Sequence, residues 1–282
     1  MLQNKTINRV KELRGTEVSK NLQQADLKRR FSGVGRLYTP EGQKNINGSH
    51  FIVVGLGGVG SWVVESLVRT EVGRITLIDL DNVAESNTNR QIQALEGNYG
   101  KPKVQALAER IALINPECRV DCIEDFIEPD NVEELLPEEG IIIDCIDNVR
   151  AKAAMINIAV KRGQPIITCG AAGGRKDPLR IKIDDLAVTK GDPLLSRVRA
   201  RLRKEYGFPK KESSGKTKKF RVPAVFSDEE ILKPSEQCEL QTMGGLSCAG
   251  YGSGIVVTAS VGLAASALAL RNVAAGRTIT AV

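Results

Sequence analysis

Histidine is almost missing from this chain: His50 is the only one in 282 residues. No Cys–His nucleophilic pair can be read, and His50, just before the first apolar run, has no nameable partner for a general-base role. The six cysteines contain no CxxC pair, which argues against a zinc site. Cys118, Cys122, Cys145 and Cys169 lie in or beside apolar runs and read as small core residues. Cys238 and Cys248 sit in polar or glycine-rich stretches. Cys248, in GLSCAGYGSG beside a helix start, is the candidate for a reactive thiol, with a structural thiol as the alternative. Charge is absent from Leu240 to Leu270. Glycines interrupt that stretch, and its continuous helical part, Ile255 to Leu270, is shorter than the roughly 20 apolar residues of a bilayer span. A helix buried against the sheet or at a dimer seam is expected, with membrane association as the alternative. The start carries Lys5, Arg9, Lys11 and Arg14 and no apolar leader, so a cytoplasmic protein with reduced thiols is expected.

Charge is present but unevenly placed. The net charge is +6. Residues 51–189 hold 15 basic against 22 acidic side chains, whereas residues 190–222 hold 12 against 3. A mildly acidic core with a basic attachment points to a polyanion docking beside the core.

The most informative stretch runs from Phe51 to Lys103. Phe51 to Val54 suits a buried strand. Gly55, Gly57 and Gly60 follow in GxGxxG spacing, with Gly58 as an extra glycine. Such glycines allow a tight turn and let the backbone approach a phosphate at the N-terminus of the next helix. A second strand, RITLID, ends at Asp79, placed to accept from ribose hydroxyls. On their own these features fit NAD, FAD or ATP. The residues that follow favour a triphosphate. Asp81 adds a second carboxylate, suited with Asp147 to magnesium. Ser86-Asn87-Thr88-Asn89-Arg90-Gln91 offers amides and a guanidinium. Lys103 opens a helix after Pro102, and Asp147-Asn148 follows the apolar run from Ile141. Arg90 and Lys103 would neutralise phosphates. A hydride-transfer enzyme has no use for them beside its cofactor.

GLGGVGSW, TLIDLD, SNTNRQ, GKPK and DCIDN together resemble the E1-like adenylating superfamily. RLY (Arg36-Leu37-Tyr38), INPECRV and CGAAGG, with the later DPLLSRVRARLRKEYG and CAGYGSG, are similar to one branch, the tRNA threonylcarbamoyladenosine dehydratases. The resemblance implies a Rossmann-like α/β fold, mostly parallel, acting on ATP with Mg2+. The implied reaction is dehydration of N6-threonylcarbamoyladenosine in tRNA to its cyclic form. It implies that Asp79 contacts the ribose, Gly58 lies under the nucleotide, Asn87, Arg90 and Lys103 meet the phosphates, and Asp147 supports the metal. Gln91 and Asn148 belong to the same set. Arg36 is implied to reach the partner subunit's site in a homodimer. A sulfur-relay protein is a further possible partner. The rival is a sulfur-carrier adenylyltransferase, whose relatives commonly carry two zinc-holding CxxC pairs; this chain departs from that pattern.

Four regions are expected: a polar extension over 1–29, the ATP-binding domain over 30–189, a basic insertion over 190–235, and a C-terminal loop and apolar helix over 236–282. Helices are expected at 61–70, 102–114, 130–136 and 149–162. Strands are expected at 51–54, 75–79, 119–123, 141–145, 165–168 and 180–183. This alternation favours a parallel sheet with helices on both faces. Pro193 to Gly207 reads as an amphipathic helix whose cationic face, Arg197, Arg199, Arg201, Arg203 and Lys204, is the candidate tRNA contact. The nearby aromatics are few, Tyr206, Phe208 and Phe220, which favours contact with RNA phosphates over base stacking.

Overall fold

The computed structural model describes residues 11–12, 25–210, 217–231 and 252–279. The strands are β1 (Lys11–Glu12), β2 (His50–Val54), β3 (Arg74–Ile78), β4 (Arg119–Ile123), β5 (Ile141–Asp144), β6 (Ile166–Cys169), β7 (Ile181–Asp185) and β8 (Pro223–Ser227). They form one sheet in the order β1-β4-β3-β2-β5-β6-β8-β7. The six inner strands run parallel, and the edge strands β1 and β7 pair antiparallel. β2 and β3 are buried over their last four residues each. Continuous apolar runs such as FIVV are what a sheet covered on both faces requires.

The helices are α1 (Leu27–Asn47), α2 (Gly60–Arg69), α3 (Lys103–Ile114), α4 (Val132–Leu135), α5 (Val149–Arg162), α6 (Pro193–Glu205) and α7 (Ile255–Ala274). α1, α2, α3 and α7 contribute to the core on one face of the sheet, and α4, α5 and α6 to the core on the other. Every expected helix and strand is present, with ends shifted by a few residues. α4 is the shortened one: Asn131 is spent on the preceding turn, its amide donating to Phe126 O and accepting from Glu128 N–H.

Besides the two-residue edge strand β1, two elements were not expected. α1 gathers RLY into a helix capped by Asp26 and bent at Thr39, whose φ is 68° ahead of Pro40. β8 comes from within the segment expected as a basic insertion, yet it pairs with β6 and β7 inside the main sheet. α6 also buries Leu195, Val198 and Leu202 against that layer.

α7 passes the length and hydropathy test for a membrane span. Its placement accords with the expected buried helix, since Val257, Val261, Ala265, Leu268 and Ala269 face the core. Gly262 sets the spacing: a Cβ there would lie 2.5 Å from Val59 O. The missing side chain therefore lets α7 press directly on the start of α2. Cys238 and Cys248 lie outside the described residues.

Candidate nucleotide site

β3 and β4 lie to one side of β2, while β5 and β6 lie to the other. The chain thus reverses direction across the sheet at β2 and β5, and the crevice beyond their C-terminal ends is where open α/β sheets bind ligands. The loop from β2 into α2 occupies that crevice. Gly55, with φ of 85°, makes the turn; a Cβ there would lie 2.8 Å from Ile146 Cγ2. A Cβ on Gly60 would lie 1.8 Å from Gly55 O, so the loop closes on itself without room for one. Gly57 instead faces open space, with nothing within 4 Å. Gly58, expected under the nucleotide, has its vacant side filled by the stem of Arg90 and by Thr258 Cγ2 at 3.1–3.2 Å.

Asp79 is 7% exposed and braces the loop. Its Oδ2 accepts from Leu56 N–H at 2.6 Å and its Oδ1 from Asp81 N–H at 2.8 Å. Lys103, buried at the start of α3, places Nζ 2.7 Å from Asp81 and 4.0 Å from Asp79. Burial pushes the Asp79 carboxyl above the usual range, and Lys103 with the two backbone N–H groups holds it down.

The segment from Ser86 to Gln91 divides its work. Asn87 is buried and its Oδ1 accepts from Ala84 N–H at 3.0 Å, shaping the turn. Gln91 is buried and accepts from Gln93 Nε2 at 3.1 Å. Arg90 is half-buried, its Nη1 donating to Ser86 O and Asn89 Oδ1. Gln93 was not expected. It is fully buried, donates to Leu56 O at 2.9 Å, and its Oε1 has no partner among the described residues. Its only sequence signal was a fourth amide in an already polar run.

On the β5 side, Asp147 is exposed just past the strand, and Asn148 caps α5 by accepting from Arg150 and Ala151 N–H. Below them lies a buried ion pair that sequence reading missed. Lys152 Nζ is 2.8 Å from Asp144 Oδ1 and 2.8 Å from Ile146 O, and Thr168 donates to Asp144 Oδ2 at 2.7 Å. The signal was an aspartate ending the apolar run from Ile141. This pair anchors the loop that presents Asp147.

Among the described residues no group of three His, Cys, Asp or Glu gathers to hold a metal on its own. Magnesium is commonly held by one or two carboxylates plus substrate phosphates. Asp147 fits that use, while Asp81 is engaged by Lys103. His50 begins β2, at the opposite end of the strand from the glycine loop, and shares a hydrogen bond with Thr76 at 2.8 Å. A general-base role at this site is therefore ruled out. Cys118 and Cys122 are pushed up to about 12 by burial, as befits core thiols.

Arg36 is exposed on α1, which packs on α7. The five cations of α6 do not share one face. Arg199 donates to Thr189 Oγ1. Arg203 donates to Pro209 O and stacks 5.3 Å from the Phe220 ring. Arg201 pairs with Glu205 at 2.7 Å. Arg197 and Lys204 are exposed. With Val149, Ala200, Arg201 and Glu205 they line a groove of about 430 Å³ beside the start of α5.

The ThiF family model matches residues 33–271. The chain is 44% identical to the tRNA threonylcarbamoyladenosine dehydratase of Haemophilus influenzae over 235 residues, covering 83% of this chain and 88% of that one. It is similar in structure to the Escherichia coli tRNA N6-threonylcarbamoyladenosine dehydratase solved in complex with ATP, with a TM-score of 0.80 and 42% identity over 90% of this chain and 98% of that one. The molybdopterin-synthase adenylyltransferase of H. influenzae is more distant, 32% identical over 40% of this chain and 46% of its own length. A glycine loop braced by Asp79, an ammonium shared by two carboxylates and a match over most of the length lead to one assignment: the chain belongs to the ThiF family, in the branch of the tRNA threonylcarbamoyladenosine dehydratases.

Proposed function

We infer that this protein converts N6-threonylcarbamoyladenosine in tRNA to its cyclic form with ATP. The observation that carries this is the nucleotide crevice itself, in which Asp79 braces the glycine loop through Leu56 N–H, Lys103 lies beside Asp79 and the Arg90 stem packs on Gly58, in a chain related to dehydratases along most of its length. The substrate carboxylate is a poor electrophile because its leaving group would be oxide. Its oxygen attacks the α-phosphorus of ATP, the bond to pyrophosphate breaks, and an acyl adenylate forms. The carbamoyl group of the same side chain then attacks the activated carbonyl. AMP leaves with the original carboxylate oxygen, and the carbamoyl group loses a proton. Water is thus removed from the nucleoside and accounted for in AMP and pyrophosphate. Ring closure within one bound side chain draws much of its rate from proximity, and no enzyme nucleophile is needed.

Lys103 and Arg90 stabilise the charge growing on the departing pyrophosphate. Asp79 holds the ribose. Asp147 would hold a magnesium ion, which neutralises phosphate charge when bound. The exposed cations Arg197 and Lys204, with Arg201 between them, receive tRNA phosphates beside the site. The working unit is a cytoplasmic homodimer: Leu37, Val256 and Leu263 are 75%, 57% and 46% exposed on α1 and α7, and pairing these faces would bring Arg36 to the partner's site. The ATP-binding domain over 30–189, completed by β8, then acts on the nucleotide, and the basic stretch over 190–222 on the RNA.

The test is mass spectrometry of nucleosides from threonylcarbamoylated tRNA incubated with the protein and ATP. A product lighter by one water, formed with AMP, is expected. An unchanged nucleoside, with AMP transferred instead to the C-terminal glycine of a sulfur-carrier protein, would assign the chain to the rival chemistry.

A further inference from the structure

The loop after β6, Gly170-Ala171-Ala172-Gly173-Gly174, is tied to the basic helix by one buried carboxylate. Asp192 is 3% exposed and caps α6, its Oδ1 accepting from Leu195 N–H at 2.9 Å. Its other oxygen, Oδ2, accepts from Ala171 N–H at 2.9 Å. The contact is flush: a Cβ on Gly170 would lie 2.3 Å from that oxygen. Arg175 closes the arrangement. Its guanidinium is fully buried, 3.3 Å from Asp192 Oδ2, and donates to Gly191 O at 3.1 Å, to Ala171 O and to Glu229 O. One side of the carboxylate therefore belongs to α6 and the other to the loop, with a cation clamping both.

The position of that loop gives the clamp a consequence. Along the C-terminal edge the strands run β3, β2, β5, β6. Neighbouring strands lie about 4.8 Å apart. A nucleotide whose ribose meets Asp79 past β3 and whose phosphates cross the glycine loop points toward β5 and β6. The loop after β6 has no side chain larger than a methyl group, and Ala171, its one residue that is not buried, is where a second reactant can meet it.

We propose that Asp192 and Arg175 are positioning residues that couple tRNA docking on α6 to the Gly170–Gly174 loop, placing that backbone against the reacting threonylcarbamoyl group. The proposal rests on α6 being the tRNA contact. A rigid link is what such a coupling needs, because a misplacement of about 1 Å at a reacting centre costs on the order of a hundredfold in rate.

Amide hydrogen exchange of the full-length protein, with and without threonylcarbamoylated tRNA, tests it. In the wild type, tRNA should slow exchange at residues 193–198 and at residues 170–174 together. Protection of 193–198 with unchanged exchange at 170–174 would overturn the coupling. No protection at 193–198 would refute tRNA contact at α6 and the coupling with it, without bearing on the nucleotide site. Asp192→Asn keeps a capping side chain but leaves the Arg175 guanidinium buried without its counter-charge. The double variant Asp192→Asn/Arg175→Gln, which removes both charges, is measured beside it. In each variant that melts cooperatively, tRNA should still protect 193–198 but no longer 170–174. Turnover should fall about a hundredfold in kcat, with KM for tRNA within twofold of wild type. Retained protection of 170–174 in those variants, or a loss confined to KM, would also overturn the proposal.

Discussion

Lys103 shares its ammonium between two carboxylates, 2.7 Å from Asp81 and 4.0 Å from Asp79. In the proposed reaction it is thus both a phosphate ligand and a charge that opposes the rise burial imposes on the Asp79 pKa. Lys103→Ala should lower turnover roughly a hundredfold by removing a preorganised charge from the leaving pyrophosphate. It should also alter the pH dependence. Burial raises the Asp79 pKa and Lys103 opposes that rise, so loss of Lys103 lifts it further. ATP binding that needs the carboxylate ionised will then fail at a higher pH as the solution is acidified. Isothermal titration across an acid series checks this; superimposable pH curves for wild type and variant would reject the shared role.

Gly57 and Gly60 should respond oppositely to one methyl group. Gly57→Ala meets open space, so the melting temperature should hold while ATP affinity falls. Gly60→Ala must push against Gly55 O and should lower both stability and affinity. Equal loss of stability in the two variants would contradict the geometry of the loop.

The cations of α6 should separate into two classes. Reversing Arg197 and Lys204 to Glu should weaken tRNA binding and reduce the slope of log affinity against log salt by about 1.5 to 2, with thermal stability unchanged. Arg199→Ala and Arg203→Ala should instead lower stability by roughly 1 kcal/mol or more, through lost bonds to Thr189 and Pro209 and lost stacking on Phe220. Filter binding and thermal melts on the same samples distinguish the classes.

His50 should set part of the acid sensitivity of the fold. Burial, then the neighbouring Arg74, lowers its pKa to about 4 from 6.5. A lowered pKa means that the unfolded chain takes up the proton first. The stability contribution is complete above pH 6.5 and is lost as pH falls toward 4. His50→Gln retains a partner for Thr76 and should flatten the decline over that window. An unchanged slope in denaturant titrations at pH 7, 6 and 5 would remove His50 from the account.

The proposed dimer predicts complementation. Arg36→Ala and Lys103→Ala homodimers should each be nearly inactive, and mixing and re-equilibrating them should recover activity. One site of each mixed dimer then has Lys103 from one protomer and Arg36 from the other. An active monomer in sedimentation would sink the arrangement.

The sequence made the sheet legible because its strands are short apolar runs closed by glycine or aspartate. Asp79 was legible because GxGxxG and the following strand end fix its position, and Lys103 because Pro102 marks the start of its helix. The hidden parts are hidden for physical reasons. VPAVFS has the apolar content of a strand, but the basic run before it suggested an excursion, and only long-range pairing with β6 and β7 reveals β8. Arg199 and Arg203 looked cationic and therefore exposed, although each is four residues from a neighbour on the side of Leu195. The Asp144–Lys152 pair joins a strand end to a helix eight residues later, and although an aspartate ending an apolar run hints at a buried charge, no local pattern marks Lys152 as its partner.

β8 also bears on how the chain is made. β7 is synthesised well before it, yet the sheet seats β8 between β6 and β7. While the ribosome is adding α6, the outer edge of β6 is unpaired and β7 has no neighbour in the sheet. Both wait until Ser227 has emerged, and an unpaired strand edge is a template for wrong partners. Within that interval α6, by packing on α5, is the segment that can keep the nascent sheet covered on that face.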